Sequence, residues 1–177
     1  LIVKGKFSFN DYPYGKHLLV ERKESNWIFW DKKVLKREFK LGKDFVCTFV
    51  FKDYRYRIVI KKGFIYDGAS IPKLAWSFVG SPFTGLYLEA ATVHDAIYYA
   101  MWKYGRKLAD EIFLFIMLEV GVSEAKAYTM YECVRVGGSG AFNKRKKVDI
   151  SPFLIVERNK ETSERLVYGE YSNRLGE

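Results

Sequence analysis

The chain has 177 residues, of which 49% are hydrophobic and 18% aromatic. That excludes a disordered chain and supplies enough apolar surface for a core that needs neither metal nor disulfide to hold it. No apolar run approaches the roughly 20 residues that cross a bilayer as a helix, so no transmembrane segment is expected. Lys and Arg number 30 against 21 Asp and Glu, a formal charge of +9. Such a balance suits nucleic acid, an anionic membrane surface or an acidic protein neighbour without choosing among them.

Residues 1–66 carry short stretches rich in aromatic and β-branched residues, interrupted by Gly, Pro, Asn and Asp, the pattern of antiparallel strands and their turns. The clearest strand is Phe45-Val46-Cys47-Thr48-Phe49-Val50-Phe51, where Phe45, Cys47, Phe49 and Phe51 alternate as one buried face requires. Lys52-Asp53 reads as a turn and Tyr54 to Lys61 as the returning strand. Asp67-Gly68-Ala69-Ser70-Ile71-Pro72 then ends strand structure, because proline cannot continue a ladder. Gly80-Ser81-Pro82-Phe83-Thr84-Gly85 reads as a second loop.

Leu86 to about Tyr104 shows apolar residues at helical spacing, with Leu86, Ala90, Val93, Ile97 and Met101 on one stripe. Gly105 breaks it, and a second, mostly apolar helix runs from Leu108 to Val120, ended by Gly121 in the usual C-terminal position. Ser123 caps a third helix with Ala127, Met130, Tyr131 and Val134 as its stripe, expected to stop near Val136 at Gly137-Gly138-Ser139-Gly140. One more strand is expected at Phe153 to Val156, followed by a polar tail. The fold class is therefore α+β: a twisted antiparallel sheet packed against a three-helix layer, one domain over residues 1–157, with 158–177 as a tail or arm to a partner.

The positive excess gathers at Lys32-Lys33 to Lys40, between Lys52 and Lys62, and at Lys144-Arg145-Lys146-Lys147. A solvated surface accounts for it without a partner. Cys47 and Cys133 lie in apolar patterns without the paired spacing of a zinc site, and both read as buried thiols of a chain that folds under reducing conditions. No signal or transit segment is read from Leu1 onward, so export is not expected.

The residues most able to carry chemistry are His94-Asp95-Ala96-Ile97-Tyr98, followed by Arg106 and Ala109-Asp110. On a helix His94 and Tyr98 share a face, while Asp95 points about 100° away. If the next helix returns antiparallel, Asp110 comes back near His94 and orients its ring through Nδ1–H, the usual arrangement behind a histidine base. The competing reading is a buried His–Asp pair that anchors helices, since polar groups in an apolar helix must be hydrogen-bonded. Asp67 and Ser70 form a second candidate cluster, either capping their own loop or standing at the mouth of the His94 site. Ser70 is not in Gly-x-Ser-x-Gly, so no nucleophile elbow is indicated. His17 is the only other histidine, too few for a metal-dependent phosphohydrolase. The glycine run at 137–140 follows a helix instead of opening one, so it cradles no phosphate. No nucleic-acid reading motif is present.

Asp67-Gly68-Ala69-Ser70-Ile71-Pro72, Trp76, Gly80, Pro82, Ala90-Ala91, His94-Asp95, Tyr98, Arg106, Ala109-Asp110 and Val134-Arg135 together resemble the signature of an uncharacterised family of tailed phages and prophages, over about residues 60–140. The resemblance implies a phage setting, in the virion or the host cytoplasm, with other phage structural proteins as partners and no cofactor. Arg135 and the basic run after it would then face DNA or an acidic neighbouring subunit. The string His94-Asp95-x-x-Tyr98 is also similar to the catalytic helix of phospholipase A2. That likeness implies a hydrolase in which His94 acts as base toward water, Asp95 ligates calcium with carbonyls of the Gly80 to Gly85 loop, and Asp110 holds the histidine. Two expectations stand: a structural or interaction protein of a phage, or a His94-centred hydrolase.

Overall fold

A computed structural model describes residues 7–10, 13–25, 31–66, 87–99, 105–144 and 152–160. The Asp67 to Pro72 and Gly80 to Gly85 loops, Trp76, the basic residues 145–147 and the tail beyond residue 160 lie outside them. Among the described residues seven strands and three helices follow in chain order: β1 (Phe7–Phe9), β2 (Gly15–Ser25), β3 (Asp31–Leu41), β4 (Phe45–Phe51), β5 (Tyr54–Ile60), β6 (Ile65–Tyr66), α1 (Leu88–Tyr99), α2 (Arg106–Glu119), α3 (Glu124–Lys144) and β7 (Leu154–Lys160). The α+β class holds, with every strand pairing antiparallel.

The strands divide into two sheets instead of the single one expected. One has the order β1-β4-β5-β7 and the other β2-β3-β6. The turn between β4 and β5 is the one the sequence marks: Lys52 and Asp53 both take positive φ, 49° and 63°, the backbone whose twist matches a two-residue hairpin. Inward-facing residues of the first sheet are the alternating Phe45, Cys47 and Phe49 opposite Ile60, Ile58 and Tyr56, all buried. Phe115 of α2 packs its ring against Phe7, Phe49 and Phe51, which seats the helix layer on this face. Strand β7 runs to Lys160, so Arg158 belongs to the sheet and not to a tail. It stacks over the Tyr54 ring at 3.5 Å and donates from Nε to the Tyr56 hydroxyl at 3.0 Å.

Helix α1 is central, with every residue from Glu89 to Tyr98 buried, as expected of a helix enclosed on all sides. Helix α2 ends as its glycine predicts. Gly121 has φ 87°, its N–H donates to the Leu118 carbonyl, and the Val122 N–H donates to that of Met117, the paired bonds of a Schellman cap.

Helix α3 departs from expectation. It passes through Gly137-Gly138-Ser139-Gly140 and continues to Lys144. Those glycines cost helix propensity, but a Cβ at Gly138 would stand 2.8 Å from the Tyr98 hydroxyl and 3.4 Å from Arg106 Nη1. The residue is small because α3 crosses other side chains there, and close packing outweighs the local tendency to stop.

Candidate functional site

His94 and Tyr98, four residues apart on α1, project together toward α2, where Asp110 sits in the first half of the helix. The antiparallel return expected from Gly105 is realised, and it brings the predicted His94, Tyr98 and Asp110 together with Arg106 and Arg135. Asp110 has no exposed surface and His94 is 1% exposed. Each oxygen of the Asp110 carboxylate takes two donors. Oδ1 accepts from His94 Nε2 at 2.9 Å and from the Tyr98 hydroxyl. Oδ2 accepts from Arg135 Nη1 at 2.6 Å and from Arg106 Nη1 at 3.4 Å.

Arg106 also donates to the carbonyls of Val134 and Arg135, at 3.1 and 3.0 Å, tying α2 to the backbone of α3. The His94 ring stacks between Tyr98 and Phe113, with centroids 4.1 and 4.7 Å away. The three described helices thus converge on one carboxylate.

Burial alone would raise the Asp110 pKa, but hydrogen bonds and charge from His94, with hydrogen bonds from Tyr98 and Arg135, outweigh it and hold the carboxyl below the ordinary range. Tyr98 is pushed the other way, first by burial and then by its bond to the Asp110 anion. An ionised carboxylate can only accept, so the His94 proton that faces it sits on Nε2. The expected orientation through Nδ1 is therefore corrected. From a helix face the ring reaches a neighbouring helix with its outer nitrogen, and Nδ1 is the nitrogen left to hold or take a proton.

Arg135, expected to face DNA or an acidic subunit, turns inward instead. A buried anion binds a guanidinium more strongly than solvent does, and charge-assisted contacts of this kind are the strong ones. The other arginine, Arg106, is a member of the same cluster.

Asp95 is also buried but belongs to a different side of α1. Together with Glu89 and Thr92 it faces β6, where the Tyr66 hydroxyl meets Thr92 Oγ1 at 2.6 Å. Burial raises the Tyr66 pKa, and the charges of Asp95 and Glu89 raise it further. Asp67 and Ser70, with the loop that would complete a calcium site, lie outside the described residues. Among the described residues no group of three or more His, Cys, Asp or Glu side chains could hold a metal ion. Sequence reasoning missed two participants on this second side, Glu89 and Thr92. The i, i+3 steps from Glu89 to Thr92 and from Thr92 to Asp95 were the available signal.

The fold and the site together define an α+β protein whose central helix carries a buried histidine paired with a carboxylate of the next helix, which two arginines lock. The chain belongs to the DUF1353 family, described as protein of unknown function, whose model matches residues 40–134, more than half of the chain. That span takes in β4 to β6, α1, α2 and the first half of α3, hence His94, Tyr98, Arg106 and Asp110, and ends one residue before Arg135. The chain is similar to the uncharacterized protein y4jT of Sinorhizobium fredii (strain NBRC 101917 / NGR234), 42% identical over 74 residues, which are 41% of this chain and 21% of that one. It is also similar to the uncharacterized protein y4iH of the same strain, 36% identical over 77 residues, 41% of this chain and 30% of that one. The match spans less than a third of either relative. No solved structure matches the chain. No helix among the described residues is long and apolar enough to cross a membrane.

Proposed function

We propose that this chain is a structural or interaction protein of a tailed phage or prophage, part of the particle or of its assembly, in which the His94 cluster fastens helices and performs no chemistry. The observation that carries this reading is the saturation of Asp110: two donors on each oxygen, drawn from three helices, at a carboxylate without exposure. Breaking such a buried ionic cluster costs several kcal/mol, the energetics of a fastening. The phage setting rests on the likeness of the Asp67 to Pro72 and His94-Asp95-x-x-Tyr98 strings to that family's signature. Exposed Tyr14, Leu19, Tyr128, Val136 and Ile155, on a basic chain, suit contact with other phage structural proteins.

A second reading has one specific observation in its favour. His94 Nε2 and the Tyr98 hydroxyl share Asp110 Oδ1, which orients the ring and leaves Nδ1 as a base. In that reading the chain is a hydrolase of the phospholipase A2 kind: His94 would act as base toward water, Asp110 and Tyr98 would hold its ring, and Asp95 with carbonyls of the Gly80 to Gly85 loop would ligate calcium.

A calcium titration of wild type beside His94→Ala and Asp95→Ala, followed by thermal stability and by hydrolysis of mixed anionic phospholipid vesicles, separates the two. The structural reading expects no cleavage with or without calcium and a melting temperature lowered by roughly 5 °C or more in His94→Ala. Calcium-dependent cleavage that both substitutions abolish would overturn it in favour of the hydrolase.

A further inference from the structure

Helix α3 carries the signals of two different ends. Its sequence favours a stop after Val136, where three glycines follow within Gly137-Gly138-Ser139-Gly140. Its backbone nevertheless runs on to Lys144. Each glycine weakens the helical state about fivefold relative to alanine, so the three together weaken the last two turns about a hundredfold. Packing must supply what propensity withholds.

That packing converges on one side chain. A Cβ on the buried Gly138 would meet the Tyr98 hydroxyl at 2.8 Å, and the Phe142 ring stands edge-on to the Tyr98 ring with centroids 5.1 Å apart. The positions around Gly138 turn outward instead: Val136 is 82% exposed, and Gly137 and Ser139 are exposed with it. Among the described residues, then, the last two turns of α3 are seated on Tyr98.

The shorter helix is provided for as well. A helix ending at Val136 would orphan its last four carbonyls, which in the long form meet N–H groups four residues further on. Two of the four, those of Val134 and Arg135, already accept from Arg106 Nη1 at 3.1 and 3.0 Å. Inside a helix such bonds are surplus, whereas at its end they are a cap, and Gly137 falls at the C′ position where a capped helix favours glycine. On the other side of the segment the chain is held by β7, which pairs with β5 from Leu154 onward. Unwinding lengthens a helix from about 1.5 to about 3.3 Å per residue, so residues 137–144 can leave Tyr98 without pulling on that sheet.

We propose that residues 137–144 are a releasable strap. Helix α3 exchanges between the long form, which covers Tyr98 and with it one side of the Asp110 cluster, and a short form that ends at Val136 under the Arg106 cap and uncovers them. The inference rests on neither reading of His94, since release would loosen a fastening in the one and open a site in the other.

The test is amide hydrogen exchange of the full chain at several low urea concentrations, read residue by residue by mass spectrometry. Amides 138–144 are expected to exchange at least about a hundredfold faster than amides 127–136, with one common urea dependence and an abrupt step after Val136. Gly137→Ala/Ser139→Ala should slow them about tenfold through helix propensity. Phe142→Ala should speed them about tenfold through the lost ring contact, with amides 127–136 unchanged in both variants. If Phe142→Ala unfolds the chain, Phe142→Leu carries the same test with a smaller gain in rate. Exchange of 138–144 as slow as that of 127–136, a graded rise toward Lys144 of the kind a fraying end gives, or rates indifferent to Phe142 would each overturn the proposal.

Discussion

Gly138 of α3 sits so close to Tyr98 of α1 that a methyl group on it would lie 2.8 Å from the tyrosine hydroxyl. That hydroxyl is bound to Asp110 and Tyr98 is fully buried, so it cannot move aside cheaply. The glycine is thus the contact surface through which α3 closes over the Asp110 cluster.

Two neighbouring glycines should consequently respond to the same substitution with opposite signs. Gly137 is helical and exposed, so Gly137→Ala is expected to stabilise by about 0.5–1 kcal/mol, the ordinary helix-propensity gain. Gly138→Ala makes the same local gain but pushes on Tyr98, and overpacking of that kind costs about 1–3 kcal/mol. Urea denaturation of the two variants checks this. A stabilised Gly138→Ala would mean that α3 can draw away from Tyr98 freely.

Acid should weaken the protein through Asp110. Its native pKa lies below the ordinary carboxyl value of 3.8. Its stabilising contribution is therefore complete above that unfolded value and is lost as pH falls through the lower native one. Asp110→Asn removes the contribution at every pH and leaves the arginines without their anion, at a cost of about 3 kcal/mol near neutrality. The gap in unfolding free energy between wild type and Asp110→Asn, measured at pH 7 and at steps below 4, is expected to close toward acid. A gap independent of pH would remove ionised Asp110 as its source.

The two cysteines should differ in reactivity. Cys47 is fully buried, and burial followed by the nearby charge of Glu89 pushes its thiol well above the usual range. Cys133 is free and only half-buried, a correction to its reading as a core thiol, since it borders the stripe of α3 that faces inward. Titration with a thiol reagent at pH 8 is expected to modify Cys133 first and Cys47 only on unfolding. Labelling of Cys47 at the rate of Cys133 would contradict the placement of β4.

What could be read from the sequence was whatever depends on spacing within one element or across one turn. Alternation marked β4, the Lys52-Asp53 pair marked its hairpin, Gly121 marked the end of α2, and the i, i+4 relation put His94 and Tyr98 on one face. Asp110 was legible because the break at Gly105 allowed only a short connection. The continuation of α3 through residues 137–140 was not legible, because a glycine that ends a helix and one that admits a neighbour look identical until the neighbour is known. The inward turn of Arg135 depends on the same distant contact. The division of the strands between two sheets was hidden for a related reason: a strand pattern reports which face is buried, not which strand lies beside it.

Strand order also sets a timetable. β5 lies between β4, which precedes it across a two-residue turn, and β7, which arrives after the three described helices, so that Arg158 and Tyr56 are 102 residues apart in the chain. During synthesis the β4–β5 hairpin emerges first and presents an unpaired edge until residues 154–160 leave the ribosome. An edge of this kind recruits foreign strands. Tyr54, Arg55, Tyr56 and Arg57 place two cations on that waiting edge, charges that keep a nascent chain from pairing with its neighbours before its own last strand is made.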